Sequence, residues 1–311
     1  MAAMKDLPPQ VTRIAAFDFG SNATKCAIVE NKNGKVNYLA EYRVQTRLGA
    51  SMDADGNISE TAMRATVEAA AEMMQHCREM NVEKYLAVGT EALRKAANSG
   101  KLIEQLKQRT GLDLCVISAE EEAALTWRGM LATLENPRAE ILLFDSGGAS
   151  TELIYGREAV ITHIHSFPLG AVTLTREYMS GEAFSETDYQ LMLTYINSII
   201  NVATWKGKLL MGSGGGVVAC AKVAIAGNAS LQTELHNYYL DSAELMRQIE
   251  LYRRCTAEER RQIPGMEADR ADIILASAMI ALAIVSAAEA PGLYVCTSGI
   301  RQGLIALEVR R

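Results

Sequence analysis

The sequence predicts an α/β protein made of two related domains that share a cleft, and three observations carry the prediction. The chain has 311 residues, 49% apolar and 22% charged, an ordinary globular composition and enough length for two domains of about 100–200 residues. A unit of strand, glycine turn and strand occurs twice: Phe17, Asp18, Gly20 and Thr24 recur as Phe144, Asp145, Gly147 and Thr151, and the matching context favours duplication. Helical periodicities alternate with short apolar runs after each copy, and no Pro- or Ser-rich linker parts the halves, so the domains adjoin.

Taken in order, Ile14–Glu30 predicts two strands around a glycine turn, and Asn31 to Lys35 a hairpin turn into a third strand, Val36–Val44. From Ser59, a plausible N-cap, Met63, Val67, Ala70, Ala71, Met74 and Cys77 trace one face of an amphipathic helix. Tyr85–Val88 is a short strand, Ala92–Thr110 a helix ending at Gly111, and Leu114–Ile117 another strand. The second half opens with strands Ile141–Asp145, Thr151–Gly156 and Ala159–Phe167, then helices over Ser185–Ala203 and Asp241–Arg254. Between those helices a strand, Leu209–Met211, feeds the glycines of 212–216. The strand Leu293–Cys296 and the helix Ile300–Val309 close the chain. The uncharged run Ile273–Ala288 falls short of the roughly 20 residues that span a bilayer, so it is expected to be a buried core helix.

Charge and cysteine usage exclude several functions. Residues 1–150 carry 17 basic and 20 acidic side chains, and residues 151–311 carry 14 and 17. Neither half offers a basic face, so no nucleic-acid partner is expected. A small polyanion must instead be received locally, by arginines, backbone amides or a metal ion. The six cysteines contain no C-x-x-C pair and are expected to be buried free thiols of a reducing compartment. Met1–Arg13 has two prolines and no apolar core, unlike a signal peptide, so a cytoplasmic location without membrane contact is expected.

Four glycine turns follow apolar strands: around Gly20, Ser21 and Asn22; around Gly147, Gly148 and Ser150; at Gly212–Gly216; and at Ser298-Gly299. Glycine lets backbone N–H groups converge on an anion, although any one such turn also serves a plain hairpin. Asp18 and Asp145 stand just before two of these cradles. A carboxylate beside a phosphate site repels the ligand unless a cation lies between, which implies Mg²⁺; an Asx-turn is the competing account of either aspartate. Ser118 and Glu121 have capping-box spacing, so Glu121 is explained structurally. Glu120 and Glu122 suit a helix N-terminus, where the dipole also favours the ionised form that a general base needs. Arg94 opens a helix, where a cation opposes the dipole, and an anion or solvent exposure would account for it; Lys25 and Arg301 are equally ambiguous. His163 and His165 share a strand face and are expected to pack, as are Trp127, Met73 and Met74.

Six ordered blocks resemble the motifs of the exopolyphosphatase and guanosine pentaphosphate phosphohydrolase (Ppx/GppA) family over residues 14–307. They are Ala15–Asn22, Val88–Asn98, Ile117–Ala123, Asp145–Leu153, Pro168–Val172 and Arg270–Leu275. The resemblance implies two actin-like, ribonuclease-H-like (ASKHA) domains, 11–123 plus 298–311 and 124–297, around an interdomain cleft. It places the catalytic base at Glu122. A metal and phosphate loop falls at Asp145, Gly147, Gly148, Ser150 and Glu152, a first loop at Asp18, Gly20, Ser21 and Asn22, and the helix-start arginine at Arg94.

Ala119, Ala149, Ala23 and Gln302 depart from the family's Gly, Gly, Ser and Glu. Alanine at 149 suits the second loop only where φ is negative. The chain resembles the family's short form, without a C-terminal helical extension, and a homodimer is one route to a stronger polymer grip. The function implied is Mg²⁺-dependent release of orthophosphate from inorganic polyphosphate. The alternatives are 5′-dephosphorylation of the guanosine polyphosphate pppGpp, phosphotransfer between polyphosphate and nucleotide, and a non-catalytic sensor of these ligands.

Overall fold

The computed structural model describes residues 11–134, 139–181, 184–200, 208–228 and 233–310. Residues 1–10, and 201–203 at the end of one expected helix, lie outside the described residues. The first sheet contains β1 (Val11–Phe19), β2 (Ala23–Lys32), β3 (Lys35–Gln45), β4 (Lys84–Gly89) and β5 (Leu114–Val116), in the order β3-β2-β1-β4-β5. β1, β2 and β3 are antiparallel neighbours, and β4 and β5 add in parallel. Among them run α1 (Glu60–Glu79), α2 (Glu91–Lys95), α3 (Ser99–Thr110) and then α4 (Ala119–Leu131).

The second sheet repeats that plan. Its strands are β6 (Glu140–Ser146), β7 (Thr151–Arg157), β8 (Val160–Phe167), β9 (Leu209–Ser213), β10 (Tyr239–Asp241) and β11 (Gly292–Val295), ordered β10-β11-β9-β6-β7-β8. The run β8-β7-β6-β9-β11 matches the first sheet strand for strand, and β10 is an addition at one edge. Around it lie α5 (Ala171–Tyr178), α6 (Glu186–Ile199), α7 (Gly215–Ala226), α8 (Ser242–Arg253), α9 (Ala257–Arg261) and α10 (Ile274–Ala287), and α11 (Ile300–Val309) ends the fold.

Both central strands are buried on two faces, which is why they are near-continuous apolar runs. In β1, Ala15, Phe17 and Phe19 face the side chains of α1 and α3, while Ile14 and Ala16 face Ile300, Leu304 and Ile305 of α11. In β6, Leu142 and Phe144 face the core under α7 and α10, while Ile141 and Leu143 face Trp127 and Met130 of α4. Thus α11 backs the first sheet, α4 backs the second, and the two helices meet at glycines. A Cβ at Gly303 would lie 2.0 Å from the Leu125 carbonyl oxygen, and one at Gly129 would lie 2.3 Å from that of Gly299. Gly303→Ala is therefore expected to cost about 1–3 kcal/mol through overpacking, read as a lower midpoint in urea denaturation.

Local expectations mostly hold, with informative exceptions. Asn33 and Gly34 take φ of 54° and 85°, the left-handed pair that a tight hairpin requires, and the Ser59 side chain caps α1 through the Ala62 N–H. The expected helix 92–110 is broken into α2 and α3. Asn98 explains the break: its Oδ1 accepts from the Ile58 N–H and its Nδ2 donates to the Ile58 carbonyl, both at 2.9 Å. This tertiary clasp overrides helical propensity across 96–98. α5, α9 and β10 were not anticipated. The 14-residue α10 is almost wholly buried, and no described helix is long and apolar enough to cross a membrane. All six cysteines are free, but only Cys26, Cys77, Cys220 and Cys296 are buried. Cys115 is exposed and Cys255 half-buried, because each lies outside the sheet centres.

Candidate active site

The two halves present equivalent turns to one another. At the end of β1, Gly20 donates its N–H to the Ala23 carbonyl at 3.2 Å; at the end of β6, Gly147 donates to Ser150 at 2.9 Å. The loops touch at Gly148, where a Cβ would sit 3.0 Å from the Ser21 Cβ and 3.4 Å from the Asn22 nitrogen. A third turn follows β9. Its Gly214 has φ +100°, and a Cβ there would lie 2.2 Å from the Ser146 carbonyl oxygen, so only glycine suits it. Ala149 is absent from the residues at positive φ, so the second loop accommodates alanine in place of the family glycine.

One cleft collects these turns. It is lined by Asp18, Gly20, Ser21 and Asn22 from the first half, by Asp145, Gly147, Gly148 and Ser150 from the second, and by Glu122 at the start of α4. The inner space is about 80 Å³, room for one phosphoryl group or a few waters. It adjoins an outer chamber of about 300 Å³, whose lining also includes Lys25, Arg43, Lys222, Arg270 and Arg301. Two residues expected in the site stand behind it. Glu152 is 2% exposed, accepts a hydrogen bond from Ser166 at 2.9 Å, and does not line the cleft. Arg94 has carboxylate partners where a phosphate was expected: it donates to Glu122 at 2.7 Å, to Glu91 at 2.7 Å and to the Ile117 carbonyl at 2.8 Å. Its fork sets the position of Glu122 within the first turn of α4, while Ser118 and Glu121 form the cap.

The carboxylates are close enough to oppose one another's ionisation. Burial pushes Glu122 well above the usual carboxylate range, the Glu152 charge adds to this, and Arg94 pulls the other way. Burial likewise raises Asp145, opposed mainly by the Lys25 ammonium. Burial and the Asp145 charge push Glu152 up to about 7. Lys25 is ion-paired with Asp18 at 3.3 Å, and Thr126 donates to Asp145 at 3.2 Å. Asp18 Oδ1 is buried with no hydrogen-bond partner. An anionic oxygen without a donor is satisfied by a cation. Among the described residues no three His, Cys, Asp or Glu side chains form a complete metal cage. Mg²⁺ takes one or two carboxylates and completes its shell with water and substrate oxygens, and Asp18 and Asp145 are the cleft carboxylates that would hold it.

Because Glu152 binds its proton more tightly when folded than when unfolded, it favours the folded state in acid. That contribution is lost as pH rises from the ordinary 4.5 through about 7, a difference of roughly 3 kcal/mol. Glu152→Gln, measured without metal or phosphate, is expected to raise the melting temperature by several degrees at pH 8 and hardly at pH 5. Equal effects at both pH values would contradict the assignment.

Among the cleft residues that sequence reasoning left out, two contributors stand out. The first is the turn at Gly214–Gly216, which it noted as a glycine turn without placing it here. The second is Arg270. This arginine is 7% exposed, its Nε has no partner, and burial and Arg43 push its pKa down to about 10, still cationic at neutral pH. A Cβ at Gly215 would lie 1.9 Å from the Arg270 guanidinium, so the glycine makes room for it. The available signal was the Arg270–Leu275 block itself, one of the six that resemble the family's motifs, to which no role was attached. His163 and His165 lie exposed on β8, where rings of Tyr155 and Phe167 neighbour them at 6.2 and 4.4 Å.

Known structures share this architecture. The chain aligns with a Ppx/GppA family member from Aquifex aeolicus at 26% identity and TM-score 0.80, covering 97% of this chain and 98% of that one. It aligns with an exopolyphosphatase from Cytophaga hutchinsonii at 24% identity and TM-score 0.89, covering 96% and 98%. Nucleoside triphosphate hydrolases from Neospora caninum share the fold at 11% identity and TM-score 0.54, covering 96% and 92%. The fold is thus the paired actin-like architecture expected from the sequence. A family model for the Ppx/GppA phosphatase family matches residues 27–311, and with the duplicated sheets and their facing glycine turns this establishes that the chain belongs to the Ppx/GppA phosphatase family.

Proposed function

We propose that the protein hydrolyses the terminal phosphoanhydride bond of inorganic polyphosphate and releases orthophosphate, with Mg²⁺ as cofactor. The observation that carries this reading is that Glu122 and Asp145 line the same cleft as the glycine turns of both halves. Asp145 and Asp18 would hold the Mg²⁺, which when bound supplies positive charge to the phosphate oxygens. Glu152, set back from the cleft, tunes these carboxylates and is not assigned as a ligand.

The chain's own residues supply the rest. Backbone N–H groups and the hydroxyls of Ser21 and Ser150 orient the terminal phosphate, and Lys25 and Arg270 add charge. Glu122, held by Arg94, takes the proton of the attacking water as its oxygen bonds to phosphorus and the bridging oxygen leaves with the shortened chain. The test measures orthophosphate release from long polyphosphate and from pppGpp, each with and without Mg²⁺. Release from polyphosphate that needs Mg²⁺ is expected. Release from pppGpp alone would move the substrate, ATP formed from ADP and polyphosphate would make the protein a phosphotransferase, and binding without release would make it a sensor.

A further inference from the structure

We propose that Thr126 is a positioning residue for the cleft: its hydroxyl ties Asp145 to the helix that carries Glu122, so that α4 sets the spacing between the base and the carboxylate assigned to the metal. The assignment rests on the reading of Asp145 as a Mg²⁺ ligand and of Glu122 as the base.

The hydroxyl of Thr126 takes an unusual partner. A threonine inside a helix often gives its proton to the carbonyl four residues back. Thr66 does so with Ala62 at 2.8 Å, Thr110 with Leu106 at 2.6 Å and Thr194 with Gln190 at 2.8 Å. Thr126 leaves its own helix and donates to Asp145 Oδ2 at 3.2 Å. It does so at a position that is 0% exposed, on a helix whose other buried residues include Ala123, Trp127 and Met130. A hydroxyl at such depth costs free energy unless it is hydrogen-bonded, and the carboxylate is what it bonds. Ser213 is the other hydroxyl beside Asp145, but it sits opposite Asp145 in the β6–β9 ladder and moves with that sheet. Thr126 reaches Asp145 from α4.

The spacing along α4 gives this bond its consequence. Thr126 follows Glu122 by four residues, so the two project from one face of the helix, about 6 Å apart along its axis. Each is tied to a different half of the molecule. Arg94, on α2 beside the first sheet, donates to Glu122 at 2.7 Å, whereas Asp145 belongs to β6 of the second sheet. α4 itself is seated closely on α11, where the Leu125 carbonyl meets Gly303 and the Gly299 carbonyl meets Gly129. A shift of α4 along its axis would disturb both ties at once. The helix therefore fixes how far the base stands from the metal carboxylate, and Thr126 is the link that makes Asp145 follow it.

The experiment follows the melting temperature of the full-length protein as Mg²⁺ alone is added, in the parent, in Thr126→Val and in Thr126→Ser, alongside kcat and KM for orthophosphate release from polyphosphate. Valine keeps the side-chain shape and loses the hydroxyl; serine keeps the hydroxyl. Mg²⁺ is expected to raise the melting temperature of the parent. Thr126→Val is expected to need about tenfold or more Mg²⁺ for the same half-maximal rise, the usual cost of removing a hydrogen bond to a metal-holding carboxylate, and to lose kcat with KM nearly constant. Thr126→Ser is expected to restore both readouts. Parental Mg²⁺ dependence in Thr126→Val, where the parent binds Mg²⁺ and releases orthophosphate, would overturn this proposal and leave the reading of the site intact. A serine variant as impaired as the valine variant would also overturn it, since the hydroxyl would then not be the group that matters. A parent whose stability ignores Mg²⁺ would overturn the metal reading and this proposal together.

Discussion

Replacing Glu122 by Gln is expected to slow orthophosphate release by about 10²–10⁴-fold, the usual contribution of a general base, while polyphosphate affinity stays near that of the parent. The geometry makes this substitution informative. Glu122 is 7% exposed at the edge of the cleft and its Oε2 accepts from Arg94 at 2.7 Å. Glutamine can keep that hydrogen bond through its amide oxygen, so fold and position survive. What it loses is the capacity to take a proton. Burial and the Glu152 charge raise the proton affinity of this carboxylate above that of a free glutamate, with Arg94 opposing them. The measurement is kcat and KM for orthophosphate release: a fall in kcat with KM nearly constant is expected, and parental kcat would remove Glu122 from the chemistry.

Much of this site was legible in the chain because its chemistry is local. An aspartate at a strand end followed by glycines specifies the turn, and it occurs twice, so the equivalence of Asp18 and Asp145 was visible as a spacing before any sheet was seen. The Ser118–Glu121 cap was equally local, and it separated the structural glutamate from Glu122. Long-range pairing was not legible. Arg94 meets Glu122 across 28 positions of sequence, and nothing near either residue says that the arginine pairs with a carboxylate in preference to a phosphate.

Glu152 illustrates the same limit. It lies opposite Asp145 in the β6–β7 ladder, where the equivalent pair in the first sheet is Lys25 opposite Asp18. The duplication thus carries opposite charges at equivalent positions, and only the fold shows that one lines the cleft while the other is sealed behind it. The split between α2 and α3 belongs here too, since the cause is the backbone of Ile58, 40 residues before Asn98.

Asp145→Asn is expected to make the protein less active and, without Mg²⁺, more stable at neutral pH. The Asp145 charge raises the pKa of both Glu122 and Glu152, so removing it relieves repulsion among these buried carboxylates. Asparagine is nearly isosteric and its oxygen can still accept from Thr126, so packing should not change. The same charge is what a divalent ion would be held by, and its loss is expected to abolish turnover or to shift the Mg²⁺ titration to much higher concentration. The two readouts move in opposite directions, which separates the prediction from simple damage: a misfolded variant would lose both. A Mg²⁺ titration identical to that of the parent would show that Asp145 does not hold the ion. Reduced thermal stability at pH 8 would show that the carboxylates are not strained against one another. If both expectations hold, the site keeps repelling charges that burial makes costly because binding the metal and the phosphate requires them, the usual conflict between stability and activity in a preorganised site.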